Sequence, residues 1–133
     1  MNRIKFYILS FTWGLPMTLI GCVAALILKA MGYKPKLYGY CWHFEVDGFL
    51  GGVSLGTVFV TSKNPTTRTK NHEHGHALQN CYYGFLFPFV VAIPSFVRCW
   101  YFMLTPNKKH PPYDSIWFEG QATEWGDKLM KNF

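Results

Sequence analysis

Apolar residues fill two long blocks of this chain, and polar positions alternate with them only between and after those blocks. From Phe6 to Leu28 there is no charged residue. At about 1.5 Å per residue, that stretch is long enough to cross a hydrocarbon core of about 30 Å. Arg3 and Lys5 precede it, Lys29 follows it, and Pro16 lies inside, where a membrane helix tolerates it. The block is longer than the apolar region of a cleaved signal peptide. Leu19-Ile20-Gly21-Cys22 resembles a lipoprotein cleavage box, but the chain stays apolar after Cys22, through Leu28. The pattern therefore predicts an uncleaved N-terminal transmembrane helix, with residues 1–32 as anchor and 33–133 as a second domain. The other block, Cys81 to Leu104, is interrupted by Gly84, Pro88 and Pro94 and carries Arg98. A charge at such depth is costly. A break at Pro94-Ser95 predicts an apolar helical hairpin over 81–104.

Between the blocks the pattern changes. Gly51 to Val60 has β-branched and aromatic residues with glycines before and within it, which predicts a strand. Tyr40 to Val46 is its expected partner across a turn at Asp47-Gly48. Ser62 to Lys70 reads as a loop leading to a helix that Thr67 or Thr69 caps. Asp114 or Ser115 is expected to cap a last helix from about Ile116. The expected class is α+β: a short β-hairpin or edge strand, two helices, the membrane helix and the apolar hairpin.

Composition narrows the partners. The 133 residues suit one domain, half of them are apolar, and the formal net charge is +6. The basic residues are scattered and form no stripe interleaved with aromatics, so nucleic acid is not an expected partner. Basic residues flanking apolar blocks fit a lipid bilayer with anionic headgroups. Cys22, Cys41, Cys81 and Cys99 form no CxxC pair, so a cysteine metal site is not expected.

The chemistry lies in Asn71-His72-Glu73-His74-Gly75-His76-Ala77-Leu78-Gln79, which contains an HExxH motif. On a helix His72 and His76 share a face one turn apart, at the bite a zinc ion needs. Glu73, about 100° around, can place its carboxylate beside a water at the metal. His74 is about 200° from His72 and faces away. A third ligand is required. On the last helix Glu119, Ala122 and Gly126 share a face, and the two small residues permit close approach to the histidine helix. Glu124 points about 140° away from Glu119 and is expected to face solvent. His43 is expected to be structural and His110 exposed.

His72-Glu73-x-x-His76 with Glu119-x-x-Ala122 resembles the gluzincin pattern of zinc metallopeptidases. More closely, residues 51–128 are similar to small bacterial and phage proteins with a minimal zincin core. The matching pieces are Gly51 to Val60 with Leu55-Gly56, then His72 to Gln79, Gly84 to Pro94, and Phe118-Glu119-Gly120-Gln121-Ala122. The resemblance implies zinc held by His72, His76 and Glu119, Glu73 as general base, and the Gly51–Val60 strand as an edge strand lining the cleft. Gly51, Gly52, Val53, Ser54 and Leu55 are then the candidate contacts to a peptide or protein substrate. Tyr113 and His110 are candidates to stabilise the transition state. The acidic residue that follows the Ala in many gluzincins is replaced by Thr123.

The function so implied is a membrane-anchored zinc metallopeptidase, integral to a bacterial or phage-encoded inner membrane. The alternative is a non-catalytic membrane protein whose site holds a structural zinc or stays empty. If His76 and Glu119 meet, the block between them must turn back. Lys70 and Lys109 are then expected on the same side of the membrane.

Overall fold

Residues Phe6–Leu28 do not form one helix. The computed structural model describes residues 2–48, 52–109 and 116–131, and in it α1 (Arg3–Phe11) and α2 (Leu15–Ala30) meet at 96°. The cause is a polar set buried within the apolar block. Thr18 Oγ1 donates to the carbonyls of Ser10 (2.6 Å) and Gly14 (3.0 Å), and Asn80 Nδ2 donates to Gly14 O at 3.2 Å. These bonds tie the bend to the helix that carries the histidines. Among the described residues no single helix is long and apolar enough to cross a membrane. In place of one straight helix the block forms a bent pair, whose inner face packs on the rest of the chain and whose two helices together keep the length and apolar composition of a span.

Four strands follow: β1 (Lys36–Tyr38), β2 (Cys41–Val46), β3 (Gly52–Leu55) and β4 (Val58–Ser62), in the sheet order β1-β2-β4-β3. The expected single strand Gly51–Val60 is split, and Gly51 lies outside the described residues. Gly56, at φ +73°, turns the chain so that β3 and β4 form a tight antiparallel hairpin, with Leu55 opposite Val58. Few residues but glycine adopt that φ readily. Tyr40–Val46 does find a partner in this region, but β2 pairs with β4 and in parallel, Phe44 opposite Val60. β3 is thus an edge strand and β4 an interior one.

The sheet is covered on both faces. Phe44, Val58 and Val60 pack with Ala25 and Leu28 of α2. Phe59 packs on the other face with Phe6, Tyr40, Cys41, Ala77, Leu78 and Cys81. Each fully buried aromatic of this kind contributes about 1.5–3 kcal/mol.

α3 (Thr67–Tyr83) is capped by Thr66, whose hydroxyl accepts from Thr69 N–H, rather than by Thr67 or Thr69 themselves. Its residues from Glu73 to Cys81 are all buried. His74, on the side away from His72, is enclosed by Phe6, Tyr38 and Tyr40, and its Nε2 accepts the Tyr40 N–H at 2.9 Å. Burial pushes its pKa down from 6.5 to about 4, against a smaller opposing backbone hydrogen bond. The fold thus holds neutral imidazole. This contributes stability fully present above pH 6.5 and lost as pH falls toward 4, about 3 kcal/mol in all. Urea unfolding in chelator at pH 7 and pH 4.5 should show that loss in the wild-type chain. A His74→Phe variant should lose less over the same interval, and equal losses would remove His74 as the cause.

α5 (Trp117–Met130) lies across α3 in the most extensive helix contact of the molecule. The backbones touch. A Cβ at Gly75 would stand 1.7 Å from Ala122 O, and one at Gly126 would stand 1.8 Å from Asn71 O. In an open helix Gly→Ala stabilises by about 1 kcal/mol. Here Gly75→Ala meets backbone that cannot yield without parting the helices. We expect it to destabilise by about 3 kcal/mol, read as a lowered unfolding midpoint. An unchanged or raised midpoint would contradict this packing.

The chain does turn back between α3 and α5, but not at Pro94. The reversal of 116° lies at the short 3-10 turn Gly84–Leu86 and the π-helical turn Pro88–Ala92. Pro94 lies inside the continuous helical run Pro88–Leu104, of which α4 (Ile93–Leu104) is the larger part, and the backbone on its N-terminal side keeps helical dihedrals, so the chain does not reverse there. Gly84 breaks the chain instead. It has φ +61°, and any Cβ there would strike the Trp13 indole at 2.0 Å. The four cysteines are free.

Candidate metal centre

α3 and α5 place three side chains around one point. His72 and His76 project one turn apart from α3, and Glu119 meets them from the first turn of α5. Glu119 Oε1 lies 2.9 Å from His76 Nε2 and 3.7 Å from His72 Nε2. The set is largely buried, with the Glu119 side chain 0% exposed and the His72 side chain, at 12%, open to solvent. Glu124, one and a half turns on, is exposed.

The imidazoles are held from behind. His76 Nδ1 is 2.8 Å from Gln79 Oε1, while Gln79 Nε2 donates to Phe118 O (2.8 Å) and Gln121 Oε1 (3.0 Å). That pattern makes the Gln79 oxygen the group that faces His76, so Nδ1 carries the proton. His72 Nδ1 is 2.7 Å from Thr123 Oγ1, whose hydroxyl donates to Glu119 O at 3.3 Å. Thr123 therefore accepts from His72, which takes the same tautomer. Both Nε2 lone pairs are left facing the carboxylate, the arrangement of metal-ligating histidines with their outer partners.

Glu119 is fixed too. Ser95 Oγ, from α4, donates to its Oε2 at 3.2 Å. Its Oε1 makes no aligned hydrogen bond although it is buried and close to His76 Nε2. These atoms point to a shared space rather than at one another. Burial alone would raise the Glu119 carboxyl, but its contacts with His72 and His76 outweigh burial and hold it well below the carboxylate range. Burial opposes charge on His76 as well, and the Glu119 and Glu73 carboxylates outweigh it and raise its pKa.

The group can hold a metal ion. Its three donor atoms lie within 4.8 Å of one another. A tetrahedral ion with bonds of about 2.0–2.1 Å needs donors about 3.3 Å apart, and the 2.9 and 3.7 Å separations bracket that value. Two neutral imidazoles and a carboxylate are the donor set of a borderline divalent ion.

Glu73 is outside this triad. It is buried, and its carboxylate abuts the edge strand: a Cβ at Gly52 would lie 3.1 Å from Glu73 Oε1. A side chain at position 52 would press on the Glu73 carboxylate and make it give by a few tenths of an ångström. Burial raises the Glu73 carboxyl, offset in part by His76 and His72. Of the other expectations, His43 is structural, its Nε2 2.7 Å from Thr61 Oγ1 and its ring stacked on Phe59. His110, Tyr113, Asp114 and Ser115 lie outside the described residues, and Ile116 occupies the N-cap position of α5 without a side-chain cap.

Gln79 is marked in the sequence by its i+3 spacing from His76, and Thr123 by its i+4 spacing from Glu119. Ser95 carries no such signal, because α4 reaches Glu119 only through the fold. No protein-family model, curated protein or solved structure matches the chain.

Proposed function

We propose that the chain is a zinc metallopeptidase of the gluzincin kind, with His72, His76 and Glu119 as metal ligands and Glu73 as general base. The observation that carries the reading is the pair of histidines held at Nδ1 by Thr123 and Gln79, with both Nε2 atoms near one buried carboxylate. Three protein ligands from two helices leave a further coordination position, as catalytic zinc sites do. Zinc bound there supplies Lewis acidity that polarises a peptide carbonyl and makes water nucleophilic near neutral pH.

The chain's own residues do the rest. Glu73, with its carboxyl raised by burial, takes the proton from the attacking water and passes it to the leaving amine. Among the described residues no strand pairs with the outer edge of β3, so an extended peptide can add to it as a further strand. Gly52 brings that strand against Glu73, which would put the peptide backbone beside the base.

The test is to incubate zinc-loaded protein with a mixed peptide library and identify new termini by mass spectrometry. Cleavage that phenanthroline stops and added zinc restores is the expected result. A zinc-loaded chain that cleaves nothing would leave the metal site without this activity.

A further inference from the structure

α4 is amphipathic in the inverted sense. Ile93, Phe96, Val97, Trp100, Tyr101, Met103 and Leu104 form its outer stripe and are 51–77% exposed. Ser95, Arg98, Cys99 and Phe102 are half-buried. Ser95 donates to Glu119, and the Arg98 guanidinium lies 4.6 Å from the Phe102 ring centre. Polar groups thus turn toward the protein and large apolar ones away from it, the reverse of a helix that faces water. Phe89, in the turn before it, is 70% exposed.

Length and charge identify the occupant. With the π turn before it the helix runs Pro88–Leu104, about 25 Å, short of a core of about 30 Å. It fits along a membrane surface. From His74 through Tyr113 there is no Asp or Glu, and the charged residues there are Arg98, Lys108 and Lys109. That balance complements anionic headgroups, and Trp and Tyr on the stripe suit the interfacial layer.

We propose that α4 lies in the interface of an anionic bilayer, with Phe96, Val97, Trp100 and Leu104 among the acyl chains and Lys108 and Lys109 against the phosphates. Ser95 makes α4 part of the metal centre's wall, so the seated helix holds that centre at the membrane surface. If the peptidase reading holds, the substrates are polypeptide segments lying close to the bilayer.

The test uses the full chain in chelator, so that it is independent of metal and of peptidase activity. Flotation is measured with phosphatidylcholine vesicles, with and without phosphatidylserine. The chain should float with the anionic vesicles, and less so as salt rises. A Phe96→Glu, Trp100→Glu variant should bind at least about tenfold more weakly, since it removes two aromatic side chains that would be buried among the acyl chains and puts charges in their place. Brominated acyl chains should quench wild-type tryptophan fluorescence more than that of Trp100→Phe, a readout that does not depend on the charged variant folding. Flotation indifferent to phosphatidylserine, equal quenching in Trp100→Phe, or a chain that stays with other copies of itself away from the vesicles would each overturn the proposal.

Discussion

A Glu119→Ala variant will bind zinc more than about a hundredfold more weakly than the wild-type chain, while Glu124→Ala will bind it unchanged. The lower bound comes from outer partners, whose loss alone costs about 10–100-fold; Glu119 is placed as a ligand itself. It is also the anion of the set, and without it two neutral imidazoles face the ion in a buried site. Its Oε2 accepts from Ser95, and its Oε1 stands 2.9 and 3.7 Å from the Nε2 atoms of His76 and His72. Glu124 is exposed on the same helix, so the pair separates ligation from any general effect of removing acid from α5. Competition titration against a chromophoric chelator measures both. Equal loss in the two variants, or none in Glu119→Ala, would remove Glu119 from the site.

Glu73→Gln will retain zinc within about tenfold and lose hydrolysis by about 10²–10⁴-fold, the range a positioned general base supplies. The substitution keeps the shape that fits beneath Gly52 and removes only the capacity to accept a proton. Glu73 lies outside the three-ligand group, so affinity and turnover should part company. In a purely structural site they would not: chelation would loosen the fold and Glu73→Gln would change nothing. Single-turnover rates with a cleaved peptide, beside the same titration, give the two numbers. Full turnover in Glu73→Gln would assign the base elsewhere.

The sequence carries the metal centre more legibly than the chain path around it. The i, i+4 spacing of His72 and His76 and the shared face of Glu119, Ala122 and Gly126 follow from helix geometry alone, and the structure brings these residues together. The bend between α1 and α2 was hidden, because Ser10, Thr18 and Gly14 read as incidental within a charge-free block. Only their bonds to one another and to Asn80 make them a corner. The reversal is expected at Pro94 but lies before Pro88, because a proline that breaks a helix and one that follows a π turn within it look alike in sequence. Gly84 gains its meaning from Trp13, seventy-one positions away in sequence. The parallel pairing of β2 with β4 was missed for a related reason: Gly56 within a strand-like run marks a turn, and once the run is split its second half is free to pair with β2.

The account rests on one ion held by His72, His76 and Glu119, and metal content tests that most directly. Purified protein, dialysed against zinc and analysed by plasma mass spectrometry, should carry one zinc per chain, with His76→Ala and Glu119→Ala carrying almost none. A folded wild-type chain without stoichiometric zinc, or variants that keep the wild-type content, would contradict it.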